Sequence, residues 1–250
     1  MTQSIYIGNN VCLARTNFGA KIFVDSTDVS LAPHIILDGD WEGWITEFVA
    51  SRLQSGTHFI DVGANVGWYA LLAAKRGCTV TAFEPIPNLA ELIERSAAVN
   101  GFHKRLKVRP HAVWNVSTTI DFAVAHRYRG SSGAAQYVVD GLTEYGDSYD
   151  RIRVDTTTLD QEFPKGSAKV EFIKIDAEGS ESHVLDGGRE MIHRDWPQIL
   201  IEATATNSEA WKKLVSWGYD ASYVDTSSAL RPFDGALDEN GWAMLYMEKR

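Results

Sequence analysis

The stretch Phe59-Ile60-Asp61-Val62-Gly63-Ala64-Asn65-Val66-Gly67-Trp68-Tyr69 decides how this chain folds. An apolar run, His58 to Val62, reads as a buried strand, and Val66 to Lys75 carries the residues of a helix. Between them Gly63 and Gly67 permit a tight turn and close backbone approach. A strand that enters a helix through such a turn leaves backbone N–H groups at the helix start free to face a ligand. Asp61 adds a carboxylate at the strand end, better matched to a cationic amine than to a phosphate. The spacing is Gly-x-x-x-Gly, and the dinucleotide fingerprint Gly-x-Gly-x-x-Gly is missing. The competing explanation is a βα turn that binds nothing.

Downstream the alternation continues. Thr79–Glu84 predicts a strand, 88–100 a helix ended by Gly101, and Leu106–Arg109, 112–114 and Thr119–Ala125 further extended runs. Strands follow at 152–155, 170–175 and 199–202, then a helix at 209–217 and strands near 219–224 and 242–247. Strands alternating with helices imply right-handed crossovers and a parallel, doubly wound α/β sheet. The last two strands have no helix signal between them, which predicts an antiparallel hairpin at the sheet edge. Upstream, 4–7, 11–15 and 20–25 form a small N-terminal β meander, and 41–53 has helical apolar spacing. Residues 126–150 show weak periodicity, and a loop of that length is functional or disordered. These readings divide the chain into an N-terminal β extension, 1–40, and a main domain, 41–250.

Composition narrows the function classes. The chain has 250 residues, 44% hydrophobic and 23% charged, with 8 Trp, 9 Tyr and 10 Phe, too many aromatics for a disordered protein. The net charge of −9 repels polyanions, so nucleic acid is not an expected partner. The longest apolar run, Trp68 to Ala74, is too short to span a bilayer, and the first ten residues lack a leader pattern. A cytoplasmic protein without a membrane partner is the expectation. Cys12 and Cys78 are too few for a disulfide framework or a cysteine zinc site, and read as small buried hydrophobes.

Two further motifs carry chemistry. Glu84 ends the strand after Asp61's, in Ala82-Phe83-Glu84-Pro85, where an acid can accept from both hydroxyls of a ribose. Asp176 and Glu178 follow the apolar run Phe172-Ile173-Lys174-Ile175, at the edge where open α/β sheets bind ligands. They suit orienting a hydroxyl, general-base work or holding a cation, against the bland alternative of capping the helix after Ser180.

The ordered set VDSTD (24–28), GDWE (39–42), FIDVGANVGWYA (59–70), AFEP (82–85), VDTTTLD (154–160), FIKIDAEGSESHVLDGG (172–188) and ILIE (199–202) resembles the FkbM-type family of S-adenosylmethionine-dependent methyltransferases. The resemblance implies a class I methyltransferase sandwich, Rossmann-like, with a seven-stranded, mostly parallel sheet and one antiparallel edge strand. It further implies O-methylation of a sugar or a small natural-product scaffold. By the same resemblance Asp61, Gly63, Asn65 and Gly67 hold the methionine part of S-adenosylmethionine, and Glu84 with Pro85 the ribose. His111, Ala112 and Val113 match loosely the strand end near the adenine, and Asp176 and Glu178 the acidic motif beside the methyl. Asp176, then Glu178, then His183 are the candidate bases. Glu42, His126, Ser131 and Ser132 are candidate acceptor contacts, and selectivity is expected in 1–45 and 126–150. Arg127 and Arg129 flank Tyr128 and suit an acidic group, or simply solvent.

Two departures bear on the chemistry. Metal-dependent small-molecule O-methyltransferases carry an adjacent Asp-Asn pair where this chain reads Glu202-Ala203-Thr204, so a divalent metal is not predicted. The Asn/Asp-Pro-Pro-Tyr motif of amino-group methylases is missing too, which favours oxygen as acceptor. The rivals are a nicotinamide-dependent oxidoreductase, a catalytically silent cofactor-binding module and a nucleic-acid 2′-O-methyltransferase. The last wants a Lys-Asp-Lys-Glu set, of which Lys174 and Asp176 are the visible members.

Overall fold

In the computed structural model, which describes residues 4–144, 146–204, 207–237 and 241–250, the chain opens with a meander of β1 (Ser4–Gly8), β2 (Val11–Arg15) and β3 (Lys21–Asp25). Two helices follow, α1 (Ala32–Leu37) and α2 (Gly43–Arg52). The alternating part then runs β4 (His58–Val62), α3 (Trp68–Lys75), β5 (Thr79–Phe83), α4 (Pro87–Val99), β6 (Leu106–Arg109). An insertion comprises β7 (Ala112–Val113), β8 (Thr119–Ala125), β9 (Gly133–Ala134), α5 (Ala135–Glu144) and β10 (Tyr149–Thr157). The remainder is α6 (Leu159–Glu162), β11 (Phe172–Ile175), α7 (Glu181–Gly187), α8 (Arg189–Asp195), β12 (Gln198–Thr204), α9 (Ser208–Trp217), β13 (Tyr219–Val224), β14 (Leu230–Pro232) and β15 (Trp242–Lys249).

Among the described residues the main sheet has eight strands, in the order β14-β13-β15-β12-β11-β4-β5-β6. This corrects the expected seven strands and single reversed edge. β15 runs antiparallel between β12 and β13, inside the sheet, and β14 adds a second reversed strand at the rim. Three residues ending in Pro232 show no period-2 signal, and proline without a donor N–H belongs on an edge.

The parallel centre fixes the level of everything that follows it. Val62 pairs with Phe83 and Ile175, and Ile175 with Ile201. The next residues, Glu84, Gly63, Asp176 and Glu202, therefore leave four neighbouring strands in one row at the carboxyl edge. β11 is buried along its length, as a strand covered on both faces must be. α3 is buried from Trp68 to Ala74, which is what an all-round apolar helix requires. The meander shares that core, with Ile22 and Val24 clustered with Trp68 and Ile93.

The stretch 126–150 is more ordered than its sequence suggested. It contains a 3₁₀ turn at Arg129–Ser131, β9 and the ten-residue α5. α5 buries Ala135, Val138 and Leu142, an i, i+3, i+7 stripe set in a Gly/Tyr-rich context. It packs on a separate four-stranded sheet, order β7-β10-β8-β9, rather than on the main sheet. The helix expected over 41–53 starts at Gly43, and α1 precedes it. No helix among the described residues is long and apolar enough to cross a membrane.

Candidate active site

A cavity of about 270 Å³ opens over the carboxyl-edge row. Its wall includes Glu42, Gly63, Asn65, Glu84, Pro85, His111, Ala112, Val113, Ser131, Ser132, Asp176 and Glu178 from the sequence expectations. Lys174, Glu202, Tyr69, Trp114 and Arg129 line it as well.

The glycine turn is built by close approach. Gly63 has φ +73°, and a Cβ there would overlap the Asp176 carbonyl oxygen, so the two turns of the row touch backbone to backbone. Asn65 follows at φ +53° and its Oδ1 is buried without a hydrogen-bond partner. Its N–H donates to Glu84 Oε2 at 2.8 Å, and the Ile86 N–H donates to Glu84 Oε1 at 2.8 Å. Glu84 is 4% exposed. Burial pushes its carboxyl up to about 8, although both N–H donors favour the charged form. Gly67, at φ +83°, starts α3 and packs on Ile93 behind the wall. Asp61 also lies behind it, 1% exposed, with neither oxygen hydrogen-bonded. Burial raises its carboxyl to about 6, against the pull of the Lys174 ammonium.

Lys174 pairs across the strands with Asp61 and donates from Nζ to Asp176 Oδ2 at 3.0 Å, with Nζ 5.0 Å from the centre of the Tyr69 ring. Burial opposes its charge, but Asp176, Asp61 and Glu42 outweigh that and hold it protonated. The Tyr69 hydroxyl donates to Glu42 Oε2 at 2.6 Å. Glu42 sits at φ +45° ahead of α2, and burial raises its carboxyl.

Glu178 differs from its neighbours. It has a left-handed backbone, φ +49°, and its carboxyl makes no hydrogen bond within the described residues. Burial, then the charges of Asp176, Glu202 and Glu181, push its carboxyl well above the ordinary range. A strained, crowded acid facing a cavity is a common signature of function. The turn is pinned from below by Glu181, fully buried, whose Oε1 accepts from the Ala177 and Gly179 N–H groups and whose Oε2 accepts from Asn207. Glu202 accepts from Trp242 Nε1 at 2.5 Å, and burial raises it as well.

Two expectations are corrected. His183 is outside the wall: its ring stacks on Trp114 at 4.0 Å and 15°, with Nε2 2.7 Å from the Tyr137 hydroxyl, so Trp114 screens it from the cavity. His126 is 43% exposed and bonded to Ser148 and Asp150, because β8 carries it past the cavity to the far end of the second sheet. Sequence reasoning missed Glu181 altogether, and gave Lys174 no role at the turn. The signal was there for both, since a lone lysine within a buried strand and an acid at a helix start each need a partner. Among the described residues no group of three or more His, Cys, Asp or Glu side chains is placed to hold a metal ion.

The fold is shared with the methyltransferase FkbM structure from Methylobacillus flagellatus KT, at TM-score 0.52 and 18% identity over 78% of this chain and 44% of that one. It is shared also with the tRNA (uracil-54, C5)-methyltransferase of Pyrococcus abyssi in complex with S-adenosyl-L-homocysteine, at TM-score 0.51 and 11% identity over 97% and 45%. The chain spans less than half the length of either. What is shared is the fold, an α/β sandwich on a mostly parallel sheet. Residues 61–233 match the methyltransferase FkbM domain, and the chain belongs to that family. No curated protein matches it.

Proposed function

We propose that this chain transfers the methyl group of S-adenosylmethionine to a hydroxyl oxygen of a sugar or a small natural-product scaffold. The observation that carries the proposal is the buried Glu84, each oxygen fixed by one backbone N–H and each with a lone pair left for a ribose hydroxyl. The unpartnered Oδ1 of Asn65, at the glycine turn on the cavity wall, fits the polar methionine end, with Asp61 supporting that turn from behind. His111, Ala112, Val113 and Pro85 supply a wall for the base.

Charge separates this from the rivals. Five acidic side chains line the cavity, and of its two permanent cations, Lys174 and Arg129, Lys174 is already neutralised by three acids. Such a site favours a cation over the pyrophosphate of a nicotinamide dinucleotide. S-adenosylmethionine supplies its methyl on a sulfonium, already activated for in-line displacement. The protein's work is then orientation, which reaches about 7–11 kcal/mol in well-aligned systems, and proton removal. Asp176, held by Lys174, orients the acceptor hydroxyl, and a carboxylate oxygen of Glu178 takes its proton. A base of raised pKa suits a weakly acidic hydroxyl. Glu42, Ser131 and Ser132 contact the acceptor. The Pyrococcus abyssi protein acts on tRNA, but the net charge of −9 and the acidic cavity favour a small acceptor here.

Calorimetric titration with S-adenosylmethionine and S-adenosylhomocysteine tests the cofactor, with NAD⁺ as control and EDTA in a parallel run. Saturable binding that EDTA leaves unchanged and Glu84→Ala abolishes is expected. Absence of binding overturns the proposal. Labelled methyl transfer to a saccharide panel then separates an enzyme from a silent binding module.

A further inference from the structure

Arg129 is an anomaly in this cavity. Its side chain is 18% exposed, its Nε is buried without a partner, and none of its guanidinium N–H donors makes a hydrogen bond within the described residues. Among the described residues its one ionic neighbour is Asp25, with Nη2 3.5 Å from Oδ2, while Oδ1 of that acid is occupied by the Thr27 N–H and hydroxyl. A guanidinium this enclosed normally has most of its donors satisfied.

Its position is fixed from the backbone. The Arg129 N–H donates to Asp28 Oδ1 at 3.3 Å, and the Val29 N–H to the Arg127 carbonyl at 2.8 Å, so the end of the meander holds this segment. The next residue, Gly130, lies against the Asn65 side chain and the Ser30 hydroxyl: a Cβ there would be 3.8 Å from both. Arg129 is thus delivered to the cavity wall next to the glycine turn, the end that the proposed function assigns to the methionine part of the cofactor.

We infer that Arg129 binds the α-carboxylate of S-adenosylmethionine, closing the amino-acid end of the site from the side of the meander. The inference rests on the proposed function. Its chemistry is that of a planar fork of donors facing a planar pair of acceptors, a geometry arginine offers and lysine does not. An anionic group on the acceptor has the same chemistry, so the test separates the two sources.

Calorimetry with S-adenosylmethionine and with decarboxylated S-adenosylmethionine, which lacks only that carboxylate, is run on the wild type, Arg129→Ala and Arg129→Lys. Wild type should prefer the carboxylated ligand. Arg129→Ala should weaken it by about ten- to hundredfold and leave the decarboxylated ligand unchanged, with Arg129→Lys in between. Circular dichroism confirms folding, and the wild-type pair of titrations needs no variant at all. Equal binding of both ligands by wild type overturns the inference, as does an equal loss of both in Arg129→Ala. So does unchanged cofactor affinity in Arg129→Ala with a raised KM confined to anionic acceptors, which assigns the arginine to the acceptor. Wild type that binds neither ligand overturns the proposed function instead.

Discussion

Replacing Lys174 by Met removes the one cation among Asp61, Asp176 and Glu42 while keeping most of the buried stem. The loss depends on how each acid escapes. Asp176 has a side chain 29% exposed and turns to water, so its share is small, about 1 kcal/mol. Asp61 is 1% exposed and has no other route than protonation. With Lys174 present its carboxyl titrates near 6; without it, higher still. Each pH unit above that value costs about 1.4 kcal/mol when the group is forced to keep its proton. At about pH 8 the share of Asp61 in the destabilisation is therefore on the order of 3 kcal/mol. At about pH 5.5 the wild-type group is largely protonated already, and its share nearly vanishes. The sign follows: the folded variant holds a proton that the unfolded chain has released, so its stability falls as pH rises. Urea unfolding of both proteins at the two pH values, with slopes compared, measures this. A destabilisation of Lys174→Met that is the same at both refutes the electrostatic account and leaves only lost packing.

Other consequences follow from the same row of residues. Gly63→Ala forces a side chain onto a φ of +73° and into the Asp176 carbonyl, and should cost about 2–4 kcal/mol in a thermal or urea melt. Retention of full stability shows that the two turns are not in contact. Glu178→Gln should lower turnover by about 10²–10⁴-fold at nearly unchanged S-adenosylhomocysteine affinity, and unchanged turnover removes Glu178 as base. The ligand-free protein should lose stability between about pH 5 and 8 by scanning calorimetry, since Glu84, near 8, and Asp61, near 6, bind protons that the unfolded chain does not. His58 and His183, whose burial lowers their values, work the other way up to about pH 7; a net gain in stability with pH means the carboxyls are not the dominant buried groups.

The sequence made the floor of the site legible because each part of it is local. A strand, a glycine turn and a helix start lie within Phe59–Tyr69, and a strand followed by an acid recurs at Phe83-Glu84 and Ile175-Asp176. Parallel register then aligns the three without further information. What failed was non-local. The place of β15 inside the sheet depends on pairing with β12 and β13 at once, which no single stretch encodes. His126 was placed at the site because its loop was read as unstructured, whereas β8 and β10 carry it away. His183 has the right sequence distance from Asp176, but only the packing of Trp114 shows that its ring is screened from the cavity.

On the proposed function, the same distinction assigns selectivity to the wall opposite the sheet. The parallel sheet contributes the invariable geometry, a row of backbone turns whose spacing is set by strand pairing. The opposite wall comes from Leu31, Trp41 and Glu42 on one side and Arg129 to Ser132 on the other, joined by Asp28, which accepts from the N–H groups of both segments. These segments lie outside the main sheet, one flanking α1 and α2 and the other in the 3₁₀ turn between β8 and β9, so either can change length or sequence without disturbing the register of the floor. Yet they are not independent of it. Glu42 reaches the row through the Tyr69 hydroxyl, and the Tyr69 ring lies beside the Lys174 ammonium that holds Asp176. On the proposed function, an acceptor that displaces Glu42 from Tyr69 would alter the charge around Lys174 and Asp176, which would link acceptor binding to hydroxyl orientation through one buried lysine.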